Sequence, residues 1–206
     1  MSNPNAGFHP TVEFDGPYWV YDFTRPTQIS WSAPTKYSVG RFDEHRPGMY
    51  TTELFQGKRD HHVGLDLGAP AGTAVHAFEE GTVYETGIND QDGSYGPTLI
   101  TEHCLALPTK PGGDTYEDVN KFWVLYGHLN WESIKHHQSG DAFGKGALLA
   151  TMGAEDENGG WPPHVHVQIS TKKPLVCDMP GVVHQDERDA ALEQYLDPRL
   201  ICGPLY

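Results

Sequence analysis

Along this chain apolar and polar residues alternate with a period of two in short stretches, and the period of an amphipathic helix is hard to find. Residues 18–23 and 37–42 alternate around aromatic rings, and runs rich in Val, Ile, Leu and Thr occupy 62–67, 73–78, 82–86, 98–103, 121–129, 147–152 and 164–169. An extended backbone sends successive side chains to opposite faces, so each run reads as a strand. Clusters of Gly, Pro, Asn and Asp stand between the runs as turns. The pattern predicts an all-β chain, β-rich with short helical segments, built on an antiparallel sheet. Two hairpins are expected, 73–78 with 82–86 and 98–103 with 121–129, and the stretches 87–96 and 105–120 read as loops. One short helix is expected over 187–195, ahead of Asp197-Pro198. Residues 1–50 carry Phe14, Tyr18, Trp19, Tyr21, Phe23, Trp31 and Tyr37 among prolines. They read as an extension whose rings cover and fill the core of a main domain over 51–206.

Composition narrows the possible partners. With 28 acidic against 14 basic residues the net charge is −14, which argues against nucleic acid and against an anionic membrane surface. No run approaches the roughly 20 apolar residues of a membrane span. The three cysteines, Cys104, Cys177 and Cys202, are odd in number and scattered, so they form neither a disulfide framework nor a metal knuckle. The first ten residues lack a basic segment followed by an apolar run, and a cytoplasmic location is the expectation.

Candidate chemistry lies in the histidines. His164 and His166, two apart on a strand, present their imidazoles to one face. His62 and Asp66, four apart, share a face if that stretch is extended throughout. Imidazole nitrogen with carboxylate oxygen is a donor set suited to Zn²⁺, and three protein ligands with an open fourth position describe a catalytic site. A single pair is weak in a chain with 12 histidines. The ordered set of His62-x-x-x-Asp66, Tyr126-Gly127-His128-Leu129 and Pro163-His164-Val165-His166 is stronger. Neither a Gly-x-Ser-x-Gly elbow nor a His-Glu-x-x-His helix occurs.

Five segments together resemble the lysostaphin-type zinc endopeptidases, the glycyl-glycine endopeptidase or duplicated hybrid motif family. They are His62-Val63-Gly64-Leu65-Asp66, Ala69-Pro70-Ala71-Gly72-Thr73-Ala74-Val75-His76-Ala77, Gly81-Thr82-Val83, Tyr126-Gly127-His128-Leu129 and His164-Val165-His166, all within residues 59–170. The resemblance implies a sheet domain with an open groove and Zn²⁺ held by His62, Asp66 and His166. It also implies His128 and His164 as catalytic residues, with His164 the first choice for general base and the two roles exchangeable. The implied activity is hydrolysis of a peptide or amide bond in a small-residue, peptidoglycan-like substrate by a metal-bound water. His103, where the family often has a histidine, is expected to support the ligands by hydrogen bonds across the sheet. His61 could replace His62 only by a one-residue slip, which would reverse its face. His9, His45, His76, His136, His137 and His184 read as surface or satisfied loop residues.

The run Asn158-Gly159-Gly160-Trp161-Pro162-Pro163-His164 and the later Asp178-Met179-Pro180-Gly181-Val182 and Asp197-Pro198 are similar to a narrower group. This is the peptidase-like module found beside kinase-like and class III aminotransferase domains. It opens an alternative: a metal-containing binding module that holds a small polar or anionic ligand without turnover.

Overall fold

A computed structural model of the protein describes residues 7–25 and 33–206, so Trp31 lies outside the described residues. The chain forms β1 (Tyr18–Val20), β2 (Tyr37–Gly40), β3 (Glu44–His45), β4 (Arg59–His62), β5 (Leu65–Gly68) and β6 (Ala74–His76). It continues through β7 (Gly81–Asn89), β8 (Gly96–Pro108), β9 (Tyr116–Gly127), α1 (Trp131–Ile134), β10 (Ala142–Phe143), β11 (Leu148–Thr151) and β12 (His164–Ser170). It closes with β13 (Val182–His184), α2 (Arg188–Gln194), β14 (Tyr195–Leu196) and α3 (Arg199–Cys202). The main sheet runs β1-β2-β5-β12-β9-β8-β7-β10, with β14 added against β12. Among the described residues its one parallel pairing is β1 with β2. A three-stranded sheet, β13-β4-β3, and a two-stranded one, β11-β6, flank it. The fold is therefore all-β and largely antiparallel, as the alternation predicts. No helix among the described residues is long and apolar enough to cross a membrane.

The period of two gives the main sheet unlike faces. Val165, Val167 and Ile169 of β12 join Leu65, Leu67, Val124, Tyr126 and Leu99 in the larger core, each no more than 2% exposed. The intervening residues His164, His166 and Gln168 face the other side with Asp66. There Trp123, Leu125 and Ile100 belong to a second cluster with Met179 and Val183. Across this second face one row is in register: Gly40 opposite Asp66, Asp66 opposite His166, and His166 opposite Gly127. The two outer members of the row are glycines, which leaves the polar pair room on both sides.

Four expectations change. Residues 73–78 and 82–86 do not form a hairpin, because β6 pairs with β11 whereas β7 pairs with β8 and β10. Ala77 and Phe78, between them, are fully buried and drawn into the core, so the chain leaves the sheet instead of turning back. The stretch 105–120 is mostly strand: β8 and β9 pair as far as Pro108 opposite Tyr116, after a register shift between His103 and Leu105 that masks the alternation. The loop expected over 87–96 is shorter, since Asn89 already pairs with Gly96. Finally, 62–67 is not one strand. It breaks at Val63 and Gly64, and β4 and β5 belong to different sheets. The expected short helix is present as α2.

Candidate metal centre

His62, Asp66 and His166 come together although two sheets supply them. His62 ends β4, Asp66 lies in β5, and His166 lies in β12 directly across from Asp66. The break at Val63 and Gly64 turns the chain so that His62 leans over the main sheet. A Cβ on Gly64 would stand 2.2 Å from Cε1 of His166, so only glycine lets the backbone pass this close to the ring. His62 Nε2 lies 3.1 Å from His166 Nδ1, Asp66 Oδ1 lies 3.1 Å from His166 Nδ1, and His62 Nε2 lies 3.2 Å from Asp66 Oδ1. All three residues are buried.

Their outer hydrogen bonds determine which atoms face inward. His62 Nδ1 is 2.8 Å from the carbonyl of Arg41, which can only accept, so Nδ1 carries the proton and Nε2 presents a lone pair. Gln168 donates from Nε2 to the Pro180 carbonyl, which turns its Oε1 toward His166 Nε2 at 3.0 Å. His166 Nε2 is then the donor and Nδ1 is bare. Two imidazole lone pairs and a carboxylate oxygen thus converge with no hydrogen between them, an arrangement that repels itself unless a cation sits at its centre. Three ligands 2.0–2.1 Å from one tetrahedral ion stand about 3.3 Å from one another. The observed triangle matches that spacing, and these three residues could hold a metal ion.

The other Asp66 oxygen, Oδ2, accepts from Arg46 Nη1 at 2.9 Å. Arg46 is 1% exposed and also donates to Glu44 Oε2 at 2.9 Å, to the Tyr50 hydroxyl and to the Arg41 carbonyl. Burial opposes the charge on Asp66, but His62 and the Arg46 guanidinium outweigh it and hold the carboxyl well below its usual range. Burial, with Arg46 adding to it, brings His62 down to about 4. Tyr95 completes the cradle: its hydroxyl lies 3.3 Å from His166 Nε2 and donates to the Met179 carbonyl at 3.0 Å.

His128 and His164 stand beside the triangle with their rings 4.2 Å apart. His128 is not on a strand as expected. It follows the end of β9 in the left-handed region, with φ 62°, and its peptide nitrogen donates to the Tyr95 carbonyl. Each ring is oriented by a carbonyl, His128 Nδ1 donating to Asn158 at 2.7 Å and His164 Nδ1 to Pro162 at 2.6 Å. Each Nε2 is therefore the unprotonated atom. Burial is the main cause that lowers both rings from their ordinary value, so both are neutral at neutral pH.

His61 turns away from the centre, as its position in the alternation predicts, and contacts Asp43 and Gln185. His103 corrects an expectation. Its hydrogen bonds go to Thr101 on its own strand and to the Glu80 carbonyl just before β7, and it packs against Phe78, Phe122 and Phe143 away from His62, Asp66 and His166. Arg46, Glu44, Tyr95 and Gln168 were not found from the sequence. Gln168 had a signal, being two residues beyond His166 on the same strand face; Arg46 and Tyr95 had none.

The sequence model of Peptidase family M23 matches residues 60–177. No curated protein matches the chain. Among solved structures, the catalytic domain of the antimicrobial peptidase lysostaphin from Staphylococcus simulans is 20% identical, over 75% of this chain and 92% of that one, with a TM-score of 0.46. A mutant catalytic domain of a prophage-encoded M23 protein from Enterococcus faecalis is 22% identical, over 74% and 91%, with a TM-score of 0.44. A zinc containing peptidase from Vibrio cholerae is 22% identical over 53% of this chain, with a TM-score of 0.39, and the match spans only 27% of that protein. The family match takes in all five residues of the centre and more than half of the chain, and the chain therefore belongs to peptidase family M23.

Proposed function

We propose that the protein is a zinc-dependent peptidase that hydrolyses a peptide or amide bond in a small-residue, peptidoglycan-like substrate. The observation that carries this reading is the triangle of His62 Nε2, Asp66 Oδ1 and His166 Nδ1, three bare donors 3.1–3.2 Å apart. His62, Asp66 and His166 would hold Zn²⁺. When bound, such an ion polarises a carbonyl and lowers the pKa of water toward neutrality. Asp66 is restrained to present one oxygen inward, because Arg46 occupies the other. His128 and His164 supply two neutral imidazoles with their Nε2 atoms unprotonated. One would take a proton of the attacking water on its Nε2 and pass it to the leaving amine, and the other would accept a hydrogen bond from the same water at its Nε2 and so orient the attack. Tyr95 and Gln168 keep the His166 ring turned the right way.

The test combines elemental analysis of purified protein with hydrolysis of oligoglycine peptides, short peptides containing D-Ala, and peptidoglycan fragments. One zinc per chain and cleavage of at least one of these substrates is the expected result. Zinc-loaded protein that leaves all of them uncut would overturn the hydrolytic reading.

A further inference from the structure

The five residues of the centre line one pocket together with three other segments of the chain. One wall is the segment from Tyr50 to Arg59, another is Gly93 to Tyr95 with Trp161, and a third is Asp178 to Val182. These walls are tied to one another and to the centre. Val63 donates to the Gly181 carbonyl, Trp161 Nε1 donates to the Gly93 carbonyl, and the Tyr50 ring meets Trp161 edge-on at 5.8 Å. Gly181 lies so close to the centre that a Cβ there would stand 2.0 Å from the Tyr95 hydroxyl and 3.2 Å from His166 Cε1. On the far side of Asp66 and His164 a second pocket continues past Pro162 and Pro163, so a substrate held at the Arg59 end can extend across the centre.

One charge on these walls has no use in the metal centre. Arg41, Arg46, Arg188 and Arg199 each lie within 4 Å of a carboxylate. Arg25 is exposed. Arg59 is half-buried, lines the pocket, and has no carboxylate at ion-pair distance among the described residues, in a chain where acids outnumber bases two to one. It is also held in place. Its guanidinium lies 5.3 Å from the centre of the buried Phe55 ring and donates to the Leu54 carbonyl, which leaves its other N–H groups for a ligand. Asp178 lines the same pocket and feels the Arg59 charge, so the field beside Arg59 suits a single negative charge better than a polyanion such as a phosphate ester.

We propose that Arg59 is the carboxylate anchor of this pocket, and that its substrate is a short peptide or N-acyl amino acid ending in a free carboxylate. The inference deepens, and so rests on, the peptidase reading of the site. A guanidinium matches a carboxylate with two parallel hydrogen bonds, and the pocket that Arg59 lines is the one that holds the side chains of the centre.

The experiment measures binding of triglycine and of triglycine amide to the zinc-loaded full chain by calorimetry, with cleavage of each followed separately. Triglycine is expected to bind roughly 10- to 100-fold more tightly, the range of a hydrogen bond to a charged group. In Arg59→Met the ratio between the two ligands should fall to near one, and in Arg59→Lys it should be intermediate, because charge remains while the planar fork is lost. Equal binding of both ligands, binding of neither at millimolar concentration, or a preference that survives in Arg59→Met would overturn the proposal. The last result would mean that the carboxylate sits on the ion instead. Arg59-dependent preference without cleavage would keep the anchor and remove the hydrolytic reading. Cleavage of the amide as fast as the acid would do the reverse.

Discussion

Two places in this molecule bury histidine, and they are built on opposite principles. Around His103 every polar atom has a protein partner: Nδ1 donates to the Glu80 carbonyl, Nε2 accepts from Thr101, and phenylalanines close the rest. Around His62 and His166 the outer nitrogens are satisfied in the same manner, but the inner ones converge on each other and on Asp66. Both regions are equally buried, so burial does not distinguish a structural histidine from a ligand. The distinction lies in where the lone pairs point. At His103 they are spent on the fold, and at the centre they converge where a cation could be held.

The largest effect that would break this contrast is expected at Asp66. Asp66→Ala should lower bound zinc from one per chain to near zero by elemental analysis. It should also cost about 3–5 kcal/mol in denaturant unfolding, since Arg46 loses a buried partner. Unchanged zinc content in this variant would mean that the triangle is not a metal site. Next comes His128→Ala, which should keep the ion while turnover of any cleaved peptide falls roughly 10²- to 10⁴-fold. Loss of zinc equal to that in Asp66→Ala would erase the division between ligands and proton carriers.

His103 sharpens the contrast through pH. Burial lowers it to about 4 from an ordinary value of 6.5. Between those values the unfolded chain binds the proton and the folded chain does not. The stabilisation is thus fully present above pH 6.5 and is lost as pH falls through 4. The shift corresponds to about 3 kcal/mol. Urea unfolding at pH 7, 5.5 and 4.5 should therefore show a shallower acid loss in His103→Gln than in the unaltered chain, and parallel curves would refute the assignment. The smallest expected effect is that of Gly64→Ala, where the added methyl must push the His166 ring. About 1–3 kcal/mol of stability should be lost, together with weaker zinc retention against a chelator, if that close approach is what holds the ring.

Much of the centre could be read from the chain alone because strand alternation is a local property. His164 and His166 had to share a face, with Val165 and Val167 on the other, and the structure puts the two valines in the core. The spacing of His62 and Asp66 marked them as a pair, but for a reason that proved incomplete. They meet because Gly64 breaks the strand and sends its halves into different sheets, not because one extended strand carries both. The hairpin expected over 73–86 failed in the same way, since alternation identifies strands without saying which strands pair.

What the sequence determined by itself was therefore the class of fold, the donors and the family pattern that joins them, all of which depend on short spacings and residue chemistry. Tertiary structure alone decided the rest: the register that sets Asp66 against His166, the left-handed turn that aims His128, and the place of Arg59 on the pocket wall. It also brought in Arg46, 20 residues before Asp66 in the chain and 2.9 Å from it in space. The reason is that a strand's faces follow from neighbours two residues away, whereas register, sheet crossing and the burial of a cation follow from packing between segments that no local pattern connects.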